Sequence, residues 1–234
     1  MFENKLEQFL YRKFKLVSDF QIHEVTSYRI FYLSSLVNLE DLNTYIMKPL
    51  VQEDLSIEKL PTVSLKQETS LDVAESELLR GSVIVSNKSI KNFSIVTIPS
   101  DIGRGIEPSE QESTLYTSQS SFTEQLDQNV TLVRRILPIS DLKLEYFTVG
   151  NLTKSKVAVL YLESLSDHDE VDIIRKKLKH LNVDFLTNSP FLGRLLGSSN
   201  SNFPEFQLSD RPDFVGLSLS KGKIVILVDQ NPFA

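Results

Sequence analysis

Two stretches of the chain carry the same succession of apolar and polar positions. Residues 6–14 place an apolar side chain at every third or fourth position, which predicts an amphipathic helix, and residues 122–136 do the same until Pro138 ends the pattern. Residues 18–25 and 140–147 then alternate apolar and polar side chains, as half-buried strands do. Each stretch is therefore predicted to begin with a helix followed by a strand.

The two stretches continue to match through a hairpin and end at a glycine. Residues 30–36, IFYLSSL, correspond to residues 159–165, VLYLESL, and the second stretch has the longer turn, at residues 150–156. Gly81 and Gly222 each follow an amphipathic segment and precede an aliphatic strand, where glycine acts as the left-handed stop of a helix. A further strand is therefore predicted after each glycine.

The helix after each hairpin is predicted to begin at a side-chain cap. Asn38 is followed three residues later by Asp41, and Asp167 by Glu170. A short acceptor side chain bonds free N–H groups at a helix start, and an acid in the first turn complements the helix dipole. We therefore interpret the chain as an α/β protein with two similar α/β subdomains, whose small mixed sheets are flanked by helices, separated by a cleft. The alternative to a repeated subdomain is that these short patterns resemble each other by chance.

A change of composition divides the chain. Residues 99–121 are rich in Ser, Glu and Gln, which predicts a connector between a first subdomain at residues 1–98 and a second at residues 122–234. Residues 113–117 are also compatible with an edge strand that ties the subdomains together. Because ligands favour clefts between domains, the predicted cleft is a candidate binding site.

Composition excludes several classes of function. The formal net charge is -6 without any long Lys/Arg block, so DNA and RNA are not expected partners. The absence of cysteine excludes disulfides, thiolate metal sites and cysteine nucleophiles. No apolar run has the length of a signal peptide or a membrane span, since the longest, at residues 157–162 and 224–228, have strand length. The chain as given is therefore expected to be soluble.

Catalytic chemistry has little support in the sequence. Residues 167–170, Asp-His-Asp-Glu, are the densest candidate, but consecutive helical residues point about 100° apart and cannot converge on one ion, so a capped helix start is expected. Residues 150–156 lack the second glycine of a phosphate loop and predict a hairpin turn. Residues 176–179 fit a solvated helix face, with an anionic membrane surface as the alternative. We expect no catalytic residues, metal or cofactor.

Several segments together carry a family resemblance. They are residues 122–135, 149–161 and 203–213, and the closing block at residues 211–234. In this order and spacing they resemble the soluble N-terminal domain in A subunits of bacterial spore germinant receptors of the GerA type. The resemblance extends over nearly the whole chain and is weakest in residues 1–80.

The resemblance implies a function for a longer protein. In that family a membrane domain follows this region, so Ala234 would precede a membrane segment. The intact protein would lie in the spore inner membrane with B and C subunits, with this domain on the cytoplasmic (core) side. It would help convert amino acids, sugars or nucleosides into a germination signal. The chain departs from the family pattern at residues 116–121, at Asp210 and at Asp229, which affects any contact that those positions make.

Polar residues within the family-like motifs form the candidate ligand-binding set. An arginine offers a planar fork for a carboxylate, and an acid can hold an ammonium group, so such a set suits an amino acid. The set comprises Glu124, Asn129, Arg134, Arg135, Arg211 and Asp213. The alternative is that Arg211 pairs with Asp213 or with a helix end, and that Arg134 braces the interface between the subdomains.

Two mechanisms remain open for this non-catalytic domain. In the first, the cleft binds a small-molecule germinant, and closure of the subdomains is passed to the membrane domain, which requires different affinities for the closed and open states. In the second, the domain is an assembly and coupling module that contacts the sibling subunits, and the germinant binds elsewhere.

Overall fold

The computed structural model describes residues 5–25, 27–52, 57–60, 65–87, 92–98, 121–197 and 206–234. These residues form two compact units. The first holds the described residues up to Ile98 together with Pro138–Ser140, and the second holds residues 121–137 and those from Asp141 to Ala234. Among the helices of this described part, none is long and apolar enough to cross a bilayer.

The first unit contains a five-stranded sheet with helices on both faces. Its elements in chain order are α1 Lys5–Lys13, β1 Phe20–Val25, β2 Tyr28–Leu33, α2 Leu39–Leu42, a π-helical turn Asn43–Met47, α3 Lys48–Gln52, a 3₁₀ turn Ile57–Lys59, β3 Leu65–Glu68, α4 Leu71–Leu79, β4 Ser82–Asn87 and β5 Phe93–Thr97. The strand order is β1-β2-β4-β5-β3. The amphipathic helices predicted from sequence thus flank a sheet that carries two strands, β3 and β5, beyond the predicted ones.

Alternation along the strands of the first unit supplies two apolar faces. Phe31 and Ile84 pack with α1 and α4 on one face. Ile30 and Val85 pack with the segment from Val37 to Leu50 on the other. Because successive strand side chains point to opposite faces, a strand buried on both sides contains a continuous apolar run, as residues 30–33 of β2 and 83–85 of β4 do.

The second unit contains a three-stranded sheet, also covered on both faces. Its elements are α5 Leu126–Ile136, β6 Leu142–Val149, β7 Ser155–Leu162, α6 His168–His180, α7 Ser189–Leu196, α8 Pro212–Ser220 and β8 Val225–Val228, with strand order β6-β7-β8. Leu144 and Leu160 pack with α5 and α8. Val159 and Tyr161 pack with α6 and α7 on the opposite face.

The two sheets repeat the same register. Phe20 pairs with Leu33 in the β1–β2 ladder, and their counterparts Leu142 and Leu162 pair in the β6–β7 ladder. Likewise Ile30 pairs with Val85, and their counterparts Val159 and Ile226 pair with each other. The predicted repeat therefore holds at the level of individual strand pairs.

Polar contacts at the end of each hairpin repeat as well. Ser35 Oγ donates to Asp19 Oδ2 at 2.5 Å, and Ser164 Oγ donates to Asp141 Oδ2 at 2.6 Å. The backbone N–H of Ser34 donates to the Asp19 carbonyl at 2.8 Å, and its counterpart in Glu163 donates to the Asp141 carbonyl at 3.1 Å. One aspartate therefore fastens the hairpin end in each unit.

The predicted helix stops and caps are present. Gly81 and Gly222 have φ angles of +90° and +80°, the left-handed region in which L side chains are strained. The Asn38 side chain accepts from the N–H groups of Glu40 and Asp41 at the start of α2. Asp167 caps α6 in the same way, bonding the second and third residues after it. Local backbone chemistry thus determined these boundaries.

The predicted α/β class, with two sheets flanked by helices, is confirmed, with one correction: mixed sheets were expected, but every described strand pair is antiparallel. β8 starts opposite Leu160, near the end of β7, so the chain re-enters the sheet at the end where β7 stops. Gly222, just before β8, accordingly lies against the Leu165 carbonyl just after β7. The connector, apart from Ser121, its edge-strand alternative at residues 113–117 and the motif residues 203–204 lie outside the described residues.

Candidate functional site

An open pocket with several charged side chains in its lining lies at the N-terminal end of α5, within the second unit. Its volume is about 400 Å³. Three segments distant in sequence build it, namely the start of α5, one residue of β7 and the turn after β8. The lining residues are Glu124, Gln125, Leu126, Asp127, Lys156, Asp229 and Gln230.

Asp229 fixes one wall of this pocket. Its carboxylate Oδ1 accepts from the Leu126 N–H at 3.2 Å, while its own N–H donates to the Lys156 carbonyl at 2.9 Å. The next residue, Gln230, has a φ of +60° and donates its N–H to the Glu124 carbonyl at 2.8 Å. The turn after β8 therefore places a carboxylate at the positive end of α5, where the helix dipole stabilises negative charge.

Lys156 supplies the positive charge of the pocket. Its Nζ donates to Asp127 Oδ1 at 2.8 Å and lies 4.1 Å from the centre of the Tyr146 ring, so an ion pair and a cation–π contact orient the amine. The Tyr146 hydroxyl also donates to Asp127 Oδ1, at 3.3 Å. Because Lys156 and Asp127 are both partly exposed, their ion pair is weak enough to exchange for another anion.

Glu124 lines the pocket, unlike the other five residues of the predicted ligand-binding set. Its side chain is exposed, just before α5 begins. The pocket thus combines three carboxylates, those of Glu124, Asp127 and Asp229, with one amine. Such a combination can bind an ammonium group and a carboxylate at the same time.

Asn129 has a local role in the structure. It is fully buried, its Oδ1 accepts from the Thr123 N–H at 2.7 Å, and its Nδ2 donates to the Thr123 carbonyl at 2.6 Å. Both ends of the amide are therefore engaged by the backbone just before α5, and this pair of bonds holds the segment that carries Glu124.

Arg134 and Arg135 point in different directions. Arg134 is only 1% exposed, whereas Arg135 is exposed. Neighbouring helical residues are about 100° apart around the axis, so the two guanidinium groups of α5 do not converge on one ligand. Arg134 is held inside the second unit, where a charged group needs polar partners.

Arg211 and Asp213 form a bidentate ion pair. Arg211 Nε donates to Oδ1 at 3.1 Å, and Nη2 donates to Oδ2 at 2.6 Å. The hydrogen bonds from Arg211 hold the pKa of the Asp213 carboxyl below its usual value. Asp213 also lies in the first turn of α8. The pairing that the sequence analysis gave as the alternative to ligand binding is thus present in the structure.

A second charged cluster lies on the α6 face of the same sheet. Arg175 Nε donates to Glu145 Oε2 at 2.9 Å, and the Tyr161 hydroxyl donates to Oε1 of the same carboxylate at 3.0 Å. Burial, followed by the Glu145 charge, raises the pKa of Tyr161. Because the cluster's carboxylate is already engaged by both partners, we interpret it as a link between α6 and the sheet.

The residues at positions 167–170 behave as the capped helix start that was predicted. Asp167 Oδ1 accepts from the Asp169 N–H at 2.8 Å and from the Glu170 N–H at 3.4 Å. No group of three or more His, Asp or Glu side chains suited to a metal ion occurs in the part of the chain that the structure describes.

The sequence analysis did not identify Asp127, Lys156 and Asp229 as site residues. Leu126 and Asp229 are 103 positions apart, so the link between them depends on the pairing of β8 with β7. The available signal was limited to an acid in the first turn of a predicted helix and an acid directly after an aliphatic strand, and both are common outside binding sites.

The fold has a solved counterpart. The structure resembles the crystal structure of the N-terminal domain of the A subunit of the Bacillus megaterium spore germinant receptor GerK3, with a TM-score of 0.69 and 21% sequence identity. The match covers 97% of this chain and 91% of that one. This likeness establishes a shared fold for the two chains.

Sequence comparison extends the match to a family. The family model described as "Bacillus/Clostridium GerA spore germination protein" matches residues 4–234. Spore germination protein GerIA of Bacillus cereus is 32% identical over 236 residues, and spore germination protein GerQA of the same organism is 29% identical over 212 residues. These matches cover 96% and 88% of this chain. The chain belongs to the GerA spore germination protein family.

Family membership confirms the resemblance and the expected non-enzymatic class, since these relatives carry the names of germination proteins. The chain spans 35% of the length of GerIA and 42% of that of GerQA. The activity and partners of the longer proteins are therefore only proposed for this chain.

Proposed function

We propose that this chain is the nutrient-sensing domain of a spore germinant receptor A subunit and that it binds a small germinant without catalysis. The mixed-charge pocket at the N-terminal end of α5 carries this proposal. A germinant in the cleft between the subdomains, closing them on each other, is the related prediction from sequence. Family membership supports the germination role, and the pocket supports recognition of a small charged molecule.

The pocket chemistry favours an amino acid over a sugar or nucleoside. Glu124 offers an exposed carboxylate to an ammonium group, and Lys156 offers an amine to a carboxylate. Binding exchanges the Lys156–Asp127 pair for a pair between Lys156 and the ligand. Because that pair is partly exposed, the exchange costs at most about 1 kcal/mol. Asp229 remains at the helix start and contributes negative potential.

A route for signalling begins at the same pocket. Gln230 lines it, and the adjoining residue Asn231 is buried, with its Oδ1 accepting from Ser189 Oγ at 3.0 Å. Ala234 exchanges two backbone hydrogen bonds with Ser209, at 2.9 and 3.3 Å. A ligand that favours one arrangement of the turn after β8 would bias this segment, provided that its affinity differs between the two arrangements. We propose a membrane domain after Ala234 as the recipient.

Thermal unfolding of the 234-residue chain tests the binding proposal. The panel contains amino acids, sugars, nucleosides and salts at millimolar concentration. A ligand at one hundred times its Kd adds about 2.7 kcal/mol, which corresponds to a shift of several degrees at about 2–4 °C per kcal/mol. We expect a selective shift with amino acids that Glu124→Gln and Lys156→Gln reduce. The control variants are Glu170→Gln and Lys221→Gln, which change exposed residues outside the pocket.

The outcomes separate the two mechanisms. If the thermal shift persists in both pocket variants, the ligand binds at another site, and the predicted cleft is the next candidate. A flat panel would contradict the binding function and favour the assembly and coupling module.

The second candidate has its own supporting observation. Several large apolar side chains of the second unit are exposed, namely Phe206, Leu208 and Leu217 at 41%, 46% and 52%. Side chains of this kind suit contact with sibling subunits. We propose B and C subunits as the partners and the spore inner membrane as the location of the longer protein, with this domain on the core side. Loss of co-purification with the sibling subunits in Leu217→Asp would support this candidate.

A further inference from the structure

The β6–β7 turn is fastened to the segment that follows α6. Asn151 and Leu152 donate their N–H groups to the carbonyls of Val183 and Asp184 at 2.8 and 2.9 Å. The Asn151 side chain also donates to Asp184 Oδ1 at 3.1 Å. These bonds connect two loops into one end of the second unit.

This end carries the two most exposed large apolar side chains among the described residues. Leu152 is 76% exposed and Phe185 is 60% exposed. Neither side chain is required by the turn, because Gly150, with a φ of +92°, and the hydrogen bonds of Asn151 set its backbone. An exposed leucine and phenylalanine on adjoining loops are costly to leave in water and suit an apolar environment.

Exposed lysines lie on the same two chain segments as this apolar pair. Lys154 lies in the turn itself, and Lys176 and Lys179 lie on the last turns of α6, which leads directly into the segment with Phe185. The nearby acid, Asp184, accepts hydrogen bonds from the Asn151 side chain and the Leu152 backbone. Residues 150–156 and 173–185 together carry five lysines and one arginine against one aspartate, a formal charge of +5 (6 minus 1), whereas the whole chain carries -6.

We propose that this hairpin-tip surface, made by Leu152, Lys154, Lys176, Lys179 and Phe185, binds an anionic phospholipid bilayer. The apolar pair enters the interfacial layer, and the lysines lie among the anionic headgroups. Apolar burial combined with a basic rim is the arrangement of membrane-surface segments. The proposal does not depend on germinant binding, since the pocket at α5 shares no residue with the hairpin-tip surface.

The contrast between this basic surface and the net negative charge of the chain favours a lipid surface over a protein partner. The net negative charge of the chain opposes its approach to an anionic membrane, whereas a basic patch is attracted to it, so the patch also orients the domain. Each lysine near such a surface contributes about 1 kcal/mol, which is about five-fold in affinity, so removal of two lysines is expected to weaken binding about 25-fold. Removal of the two apolar side chains is expected to weaken it at least ten-fold.

Vesicle co-sedimentation of the 234-residue chain tests the proposal. The vesicles are phosphatidylcholine alone or an equal mixture with phosphatidylglycerol. The test variants are Leu152→Ser with Phe185→Ser, and Lys176→Gln with Lys179→Gln. The matched control is Leu165→Ser with Leu39→Ser, because these leucines are 55% and 52% exposed, Leu165 lies at the opposite end of β7, and Leu39 lies on α2 of the first unit.

We expect binding to the mixed vesicles that weakens with salt, that both test variants reduce and that the control retains. Absence of binding to mixed vesicles would overturn the proposal. Binding that survives the loss of Leu152 and Phe185 would also overturn it, since charge alone would then account for adsorption. If the apolar variant instead loses association with sibling subunits while vesicle binding is unchanged, the surface is a protein interface and the lipid proposal fails.

Discussion

The glycine after the last helix of each unit offers a matched pair of substitutions. A Cβ added at Gly222 would lie 2.6 Å from the Leu165 carbonyl oxygen, and one added at Gly81 would lie 2.7 Å from the Leu36 carbonyl oxygen. Both contacts are with backbone, which cannot move aside as a side-chain end does. We predict that Gly222→Ala and Gly81→Ala destabilise their units by similar amounts.

The magnitude has two contributions. A left-handed backbone costs an L-residue about 1–2 kcal/mol relative to glycine. Displacement of a packed carbonyl adds about 1–2 kcal/mol, at the lower end of the cost of overpacking. The expected loss in free energy of unfolding is therefore about 2–4 kcal/mol for each substitution.

Gly193 provides the control for the same chemical change. It lies inside α7 without a positive φ, and an added Cβ would meet the Phe206 ring no closer than 3.4 Å. Alanine is favoured over glycine in a helix by about 1 kcal/mol, so Gly193→Ala is expected to be neutral or mildly stabilising. The comparison isolates backbone geometry from the addition of a methyl group.

Urea unfolding followed by far-UV circular dichroism measures these effects, since the chain has no tryptophan to report by fluorescence. Two compact units can unfold separately, so the transition is fitted with and without an intermediate. A free energy of unfolding for Gly222→Ala or Gly81→Ala within about 0.5 kcal/mol of that of the unsubstituted chain would refute the reasoning. A change that small is typical of surface substitutions and leaves no room for backbone strain or carbonyl displacement.

Two further predictions concern charge and capping. Arg211 lowers the pKa of Asp213 below its ordinary value of about 3.8, so the stability that this pair contributes is present above that value and is lost as the pH falls through the lowered pKa. Asp213→Asn should therefore flatten the acid side of the stability curve, and an unchanged acid limb in thermal melts would contradict this. Asp167→Ala should cost about 1 kcal/mol through loss of the α6 cap, whereas Asp169→Ala should cost only a few tenths; equal losses in urea titrations would argue against the cap.

Local chemistry made much of the fold predictable. Asn38 and Asp167 cap helices because each short side chain reaches the free N–H groups two and three residues further on. Gly81 and Gly222 stop helices because the following strand requires a reversal that other residues adopt only under strain. These features depend on a few neighbouring residues, so the sequence displays them directly.

Non-local pairing was not predictable in the same way. β3 is only four residues long, and its place at the edge of the first sheet depends on β5, which is itself placed by β4. The direction of β8 depends on the path through three helices, which no local pattern encodes. This is why antiparallel sheets were observed where mixed sheets were expected.

The candidate site was predicted least well. Glu124 was identified, but its neighbours Lys156 and Asp229 come from other elements and meet it through the tertiary fold. Arg134 and Asn129 have the polar character of ligand-binding residues, and the structure shows them buried in α5. Chemical type alone does not distinguish a polar group that faces a ligand from one that satisfies the protein interior.

The register-level match between the two sheets has an evolutionary consequence. Counterparts are 122 positions apart in the first strands (142 minus 20), 129 in the second (162 minus 33) and 141 at the glycines (222 minus 81). The spacing grows between the elements and stays constant within each of them, which is the pattern expected from tandem duplication followed by insertions in loops. One ancestral hairpin-and-helix module would then have served twice, and one copy gained two strands while the other kept a three-stranded sheet.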